Sequence, residues 1–592
     1  MPGFFGFMSN HREVLEKEIT LRDIIGENSQ LMEDETVIQT SGWYGRFFRN
    51  AVKKFENDRL FYQDYRHFFI IDGVILNKQD LFEKYSITEK NMVALVKQMQ
   101  ALNSKSFFNE FRGTFAGMNL DKNTNEFQLY TNHIGDKDIF YYENKYTHTL
   151  YFGTDFDVLI ELIQKHSNKK FDVNANAAYS VMTHGHTLCN ETLFEDVHRL
   201  TPGHYLTYLN NELSKTCYYE LKNRTVEITE EEAVNHLDSY FRKAIERAFE
   251  KDKEYGYKHL VALSGGLDSR MTAWVANEMG YTNTLNYTFS QTDYLDEKVP
   301  KKIANVLKNE WIFKSLDNGV YLYEYFEESI KITGARSQSS TVAHTFGMLN
   351  DLKLDKFGLV HTGQLGDVII GTYYTEGKKN VFHPGDGAGS TKLLHKVQYS
   401  KENAFQVEDQ EIFKFYNRGF TGVNTGLKPM YQYTETISPF QDIDLFDFCL
   451  SLPLKYRSGH YLYIKWINQC YPEAADFIYE KVNGKINRKV ITVKGVPIPW
   501  TSIPSAVMKI VKKKLNLKLN SKHHMNPLDF WYKTNDQLSG FYESQFSKNI
   551  SLVENTDLKK DCEYLFRAGT VLEKDQVITF LGFLNNMKNC MK

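Results

Sequence analysis

Residues 1–220 carry short apolar and aromatic runs separated by turn residues: HFFIIDGVILN (67–77), EFQLYTN (126–132), DIFYYENKYTHTLYFGTD (138–155) and HYLTYLNNEL (204–213). Short runs rich in aromatic and β-branched side chains, bounded by turn formers, predict strands. NKYT, lying between two aromatic runs, predicts a hairpin. NMVALVKQMQAL (91–102) instead spaces its apolar residues as a helix does. The region therefore reads as a β-rich α+β unit.

The pattern changes near residue 225. Thr229 followed by Glu232 is a capping-box pair. After it, Ala233, Val234, Leu237, Tyr240, Phe241, Ala244, Ile245 and Ala248 hold helical spacing. A strand HLVAL (259–263), a Gly-rich turn and a helix RMTAWVANEMG follow, then strand TLNYTFS, helix EKVPKKIANVLK and strand EWIFKSL. Strands alternating with helices predict a parallel sheet. Past residue 330 the chain reads as mostly helical, with one more strand–loop, GLVHTGQLGD. The boundary is expected at about 215–228, giving two domains, 1–220 and 228–592.

Composition narrows the functional classes. With 592 residues, a net charge of −3, 42% hydrophobic and 24% charged residues, this is a globular composition with no basic excess for nucleic acid. No apolar run approaches the ~18 residues of a membrane span, and the first residues lack the basic-then-apolar order of a secretory signal. The six cysteines form no CxxC and no Cys/His cluster. Sparse cysteines fit a reducing compartment, and a cytoplasmic location is expected. VMKIVKKKLNLKLNSKHH (507–524) holds six lysines and no acid. It reads either as a solvated helix face or as a peripheral contact with anionic lipid or a partner.

The sharpest chemistry lies in LVALSGGLDSR (260–270), where a strand runs into Ser264-Gly265-Gly266-Leu267-Asp268-Ser269 and then a helix. Two glycines let backbone N–H groups approach a phosphate closely. The hydroxyls of Ser264 and Ser269 add donors, and the helix N-terminus adds a favourable dipole. Asp268 in such a loop would repel phosphate unless a cation lay between them, which makes it a candidate magnesium ligand. The pattern is neither a Walker A loop nor GxGxxG.

SGGLDS at a strand end resembles the PP-loop of N-type ATP pyrophosphatases, which split ATP between the α and β phosphates and adenylate a substrate oxygen. HTGQLGDVIIGTYY (361–374) is similar to the asparagine synthetase motif S-G-E-G-x-D-E-x-x-G-G-Y. SPFQDIDLFDFCLSLP (438–453) is similar to V-P-F-L-D-x-x-L-V-E-F-A-x-x-L-P. NHIGDKDIFYY (132–142), YFGTDFDVL (151–159) and LFEDVHRLTPGHYL (193–206) resemble that family's glutaminase-like half.

The resemblance implies a two-domain α/β architecture. An N-terminal αββα Ntn-hydrolase-like sandwich would precede a doubly wound, parallel-sheet PP-loop ATP-pyrophosphatase domain with a helical C-terminal extension. It implies ATP and Mg2+ as cofactors. Ser264, Gly265, Gly266, Leu267, Asp268, Ser269, Thr362 and Gly363 would line the nucleotide site, with Leu263 and Ser290 at strand ends near the adenosine. Asp268 and Asp367 would hold magnesium.

The departures matter as much. MPGFFG aligns with Met-Cys-Gly-x-x-Gly, so Pro2 stands where the family's nucleophilic cysteine stands. The glutamine clamp Asn-Gly-Glu appears as Asp72-Gly73-Val74. Loss of glutaminase activity is expected. Gln364 occupies the position of the catalytic glutamate and Val368 that of the second one. A neutral amide takes no proton, so Gln364 is expected to position a reactant, with His361, Glu376, Tyr373 and Tyr374 as neighbouring candidates for a base. The family's catalytic lysine falls near GHYLYIKWI (459–467), on His460 or Tyr461 by alignment, with Lys465 one helical turn later.

The expected activity is ATP-dependent amide formation between a substrate carboxylate and ammonia or an amine. The carboxylate could belong to a small molecule, a glycan (a sugar acid in polysaccharide synthesis) or a peptide. Lasso-peptide or β-lactam-type ring closure and an inactive ATP-binding scaffold are the alternatives. Oligomeric state is not readable from the chain.

Overall fold

The computed structural model describes residues 2–592 except 27–30, 41, 103–104, 375–381, 401–404, 406–407, 488–489, 494–495 and 500–522. Glu376 and nearly all of the lysine-rich 507–524 fall outside the described residues.

Strands fill the first 220 residues as the apolar runs predict. They are β1 (Gly3–Ser9), β2 (Leu31–Gln39), β3 (Tyr44–Val52), β4 (Leu60–Gln63), β5 (His67–Ile75) and β6 (Gly113–Asp121). They continue with β7 (Glu126–Thr131), β8 (Phe140–Asn144), β9 (Thr149–Gly153), β10 (His198–Arg199), β11 (His204–Leu209) and β12 (Glu212–Cys217). Two antiparallel six-stranded sheets result, in the orders β10-β8-β9-β1-β3-β2 and β12-β11-β7-β6-β5-β4. The NKYT hairpin joins β8 to β9, with Asn144 opposite Thr149. Phe4, Phe47, Phe152, Phe68, Met118 and Leu129 come from both sheets and share one core between them. Helix Met92–Leu102 covers one outer face through Leu95, Val96 and Met99. Helices Phe156–Ser167 and Ala175–His184 cover the other. Helix, sheet, sheet and helix thus stack as four layers.

The second half opens with helix Glu230–Glu254, whose capping box is closed by Thr229 and Glu232. Its buried stripe matches the predicted one except at Tyr240, which stays 37% exposed. Then come β13 (Lys258–Ala262), β14 (Thr284–Ser290), β15 (Glu310–Ser315), β16 (Phe357–His361) and β17 (Thr436–Ile437). All pair in parallel, in the order β15-β14-β13-β16-β17. The strand order reverses direction between β13 and β16. Such a switch point opens a crevice beyond the strands' carboxyl ends, where ligands bind in open α/β sheets.

The C-terminal helices do more than extend this second half. Helix Val571–Met587 packs Val577, Ile578, Phe580 and Phe583 into the core that holds Leu159, Ile163 and Met182 of the first half. Among the described residues no helix is long and apolar enough to cross a membrane.

Burial also sets a pH response. His133 is 3% exposed, sits against the Asn109 carbonyl at 3.1 Å, and is pushed down to about 3 because its charged form is desolvated. The unfolded imidazole takes a proton near pH 6.5 and the folded one does not. Its contribution is therefore complete above pH 6.5 and is lost as pH falls toward the folded value. Between pH 6.5 and 5 the loss from this one group is about 2 kcal/mol. His133→Gln keeps an amide donor for Asn109, and its thermal midpoint should fall less steeply than that of the wild type between pH 7 and pH 5. Parallel curves would show that His133 titrates freely.

Candidate functional site

The Ser264–Ser269 loop lies where the sequence places it, between the end of β13 and helix Asp268–Glu278. Its hydroxyls close the turn. The Ser264 N–H donates to Ser269 Oγ at 2.9 Å, the two serine oxygens lie 2.9 Å apart, and the Gly266 N–H donates to Ser264 Oγ at 3.2 Å. Leu267 precedes the helix and supplies no side-chain cap. The first-turn N–H groups of this helix are thus left for a ligand, the arrangement that favours an anion. Arg270 fixes the loop from behind, donating to the carbonyls of Gly265 at 3.1 Å and Ile478 at 2.7 Å.

The strand–loop after β16 meets this turn at backbone distance. A Cβ on Gly363 would come within 2.3 Å of the Ser269 nitrogen, and one on Gly366 within 2.7 Å of Asp268 Cγ. No side chain fits at either place. Between them Leu365 holds φ +65, a left-handed conformation that costs energy in a leucine. The chain then winds into a widened π-type turn, Asp367–Gly371, and a second π-type helix, Phe415–Val423, flanks the same cavity. Helices of this kind are rare and concentrate at functional sites.

These contacts bring Asp268 and Asp367 together. The Asp367 N–H donates to Asp268 Oδ2 at 3.1 Å and the Tyr463 hydroxyl to Asp268 Oδ1 at 2.9 Å. Burial, then repulsion from Asp367, push Asp268 up to about 8. Lys481 approaches Asp367 at 3.5 Å. Two half-buried carboxylates with one partly exposed lysine are under-neutralised, and their hard oxygen donors fit Mg2+.

A cavity of about 670 Å3 opens from the loop. Leu263, Ser264, Gly266, Asp268, Ser269, Thr362, Gly363 and Gln364 line it. Several expected residues stand elsewhere. The Gly265 N–H is already given to Asp296 Oδ1 at 2.6 Å, and Leu267 is core. Ser290 turns its hydroxyl to the Gln291 carbonyl at 2.9 Å, leaving Tyr287, Thr288 and Phe289 on the strand-end wall.

Lys465 is not brought to the cluster. It pairs with Glu230, sharing that carboxylate with Tyr461. Helix Tyr461–Cys470 explains this: Tyr463 faces Asp268, and two residues further on a side chain points roughly 200° around the helix. Among the described residues Lys481 is the lysine near the carboxylates, and it lies beyond the stretch that the alignment indicates. His361 turns away too, its Nε2 lying 2.7 Å from Asp252 Oδ2, which also binds His259 Nδ1 at 2.8 Å. Tyr373 is held above the usual tyrosine range by burial, so it is no base at neutral pH.

In the first half, both Asp72 oxygens are taken, by Arg59 and by Lys137, with Asp72 lowered to about 2 against the cost of burial. All six thiols are pushed up by burial, so none is poised as a thiolate.

Comparison with known proteins places residues 50–219 in a match to the glutamine amidotransferase domain family. A comparison with curated proteins gives no match. Among solved structures, glutamine phosphoribosylpyrophosphate amidotransferase from B. subtilis, complexed with ADP and GMP, is 8% identical, with a TM-score of 0.25. That match covers 52% of this chain and 65% of the other, so this chain spans just under two thirds of it. A structure described as the allosteric regulatory enzyme of purine biosynthesis is 9% identical, covering 77% of this chain and 95% of the other, with a TM-score of 0.24. NMN synthetase from Francisella tularensis is 15% identical, covering 45% and 99%, with a TM-score of 0.18. None of the three superposes well enough to bear on fold or function.

Proposed function

We propose that this chain is an ATP-dependent amide-forming ligase of the asparagine synthetase type that does not hydrolyse glutamine itself. The observation that carries the reading is the convergence of the uncapped, hydroxyl-lined loop with the Asp268–Asp367 pair at a switch-point cavity. In the proposed reaction a substrate carboxylate oxygen attacks the α-phosphorus of ATP and pyrophosphate leaves. The nitrogen of ammonia or an amine then attacks the acyl carbon, AMP leaves, and the nitrogen gives up a proton.

Asp268 and Asp367 would hold Mg2+, which supplies charge neutralisation to the phosphates. The loop amides and helix N-terminus bind the phosphates in a preorganised polar frame. Gln364, neutral and at the cavity wall, orients a reactant without taking its proton. The paired Asp72 and the absence of a poised thiolate support a first half that serves as framework and cavity wall rather than as an ammonia source.

Purified protein given ATP, Mg2+, ammonium and a series of carboxylic acids should release AMP and pyrophosphate in equal amounts. Release of ADP and phosphate would overturn the assignment.

A further inference from the structure

A second wall of the cavity, called the far wall below, is built from both halves of the chain. Helix Ala175–His184 ends on Gly185 at φ +81, and the following residues run antiparallel beside 336–338. The Gln338 N–H donates to the Gly185 carbonyl at 2.8 Å and the Thr187 N–H to the Arg336 carbonyl at 2.9 Å. Gln576 reaches this wall from helix Val571–Met587, and Arg418 from the widened helix Phe415–Val423.

Two polar groups here lack partners. Gln576 is 0% exposed, and among the described residues neither its Nε2 nor its Oε1 has a hydrogen-bond partner. Its Nε2 stands 3.3 Å from where a Cβ on Gly389 would lie and 3.5 Å from one on Gly185, so two glycines keep the space beside it open. A buried amide with both faces unpaired is costly, and a ligand that donates and accepts would recover that cost. Arg418 is solvent-exposed and has no ion pair or hydrogen bond among the described residues, so its charge is free to meet an anion.

The wall's charge is equally specific. Among the described residues the only carboxylates lining the cavity, Asp268 and Asp296, belong to the loop end. His184 and His186 are buried and held neutral at physiological pH, and the His186 Nδ1–H is spent on the Thr187 carbonyl at 2.8 Å. The described residues of this wall offer one cation, no anion and an open amide, which leaves an ammonium group without a counter-charge.

Resting on the ligase reading, we propose that the far wall binds the acceptor and that the acceptor is a hydroxylated carboxylic acid of sugar-acid type. Its carboxylate is drawn by Arg418 and a hydroxyl, which both donates and accepts, pairs with Gln576. A zwitterionic amino acid does not match this wall.

Titration calorimetry tests this with Mg2+ and α,β-methylene-ATP bound first, followed by galacturonate, galactose or aspartate. Galacturonate should bind the wild type, and galactose and aspartate at least about tenfold more weakly. Arg418→Met should weaken galacturonate about tenfold or more and Gln576→Leu about fivefold, with the nucleotide analogue bound as before. Aspartate binding as tightly as galacturonate, no galacturonate binding to the nucleotide-loaded wild type, or an unaltered affinity in Arg418→Met would each overturn the acceptor assignment. Failure of the nucleotide analogue to bind would overturn the ligase reading and the acceptor with it, and the first titration alone reports that result.

Discussion

Asp268→Asn is expected to cut pyrophosphate release from ATP by about 1000-fold or more, the scale seen when a preorganised charge-stabilising group is removed. The protein should remain folded, and its thermal midpoint without metal should rise. The rise follows from the sign of the shift. A carboxyl held up at about 8 by burial and by Asp367 penalises the folded state at every pH above the unfolded value, and fully so above 8. Asparagine removes that penalty while keeping an oxygen to accept from the Asp367 N–H and an amide to meet Tyr463. Magnesium should raise the midpoint of the wild type by mass action and leave that of the variant unchanged. Stability gained where activity is lost is the mark of a strained functional site. Pyrophosphate assays beside thermal scans, each with and without Mg2+, check both halves. Wild-type turnover in the variant would remove the cation from the reading, and a lowered midpoint would mean the carboxylate was structural.

Local patterns made much of this legible in the chain. The Thr229–Glu232 capping box, the hairpin at 144–149 and the strand-to-helix turn at 264–269 each occupy a few consecutive residues, and each forms as its spacing dictates. The loop's two carboxylates were legible because a motif carries each. The rest required three dimensions. Lys465 fits the expected stretch yet sits on the wrong face of its helix, while Lys481 arrives from a short turn with no motif of its own. Leu365 gives no hint in the sequence that it must adopt a left-handed backbone. The far wall joins Gly185, Arg418 and Gln576, residues so distant in the chain that no window contains two of them. Isolated charges are also ambiguous: nothing local marks Asp138, Arg199, Arg336 and Lys428 as one cluster, and folding buries all of them.

That buried cluster makes the second large prediction. Asp138, in the first half, meets Arg199 Nε at 2.5 Å, and its other oxygen meets Arg336 Nη2 at 2.5 Å and the Lys428 ammonium. Arg336 and Lys428 belong to the second half. The three cations hold Asp138 well below the usual carboxylate range against a large desolvation cost. Beside this cluster Arg59 bridges Asp72 and Glu435, and Lys137 does the same, again across the halves. Asp138→Asn would leave three buried cations facing a neutral amide. Breaking a buried ion pair from one side costs about 3–5 kcal/mol, and that loss is expected in denaturant or thermal unfolding. Adding Lys428→Met to Asp138→Asn should recover part of it, because one uncompensated charge goes with the lysine. Raising salt should not change the deficit, since buried charges are poorly screened. A loss below about 1 kcal/mol, or one that salt abolishes, would mean that water reaches these groups as it does at a surface pair. The Asp138 cluster would then add little to the joint between the two halves, and the far wall of the cavity, which needs both, would lose that electrostatic clamp.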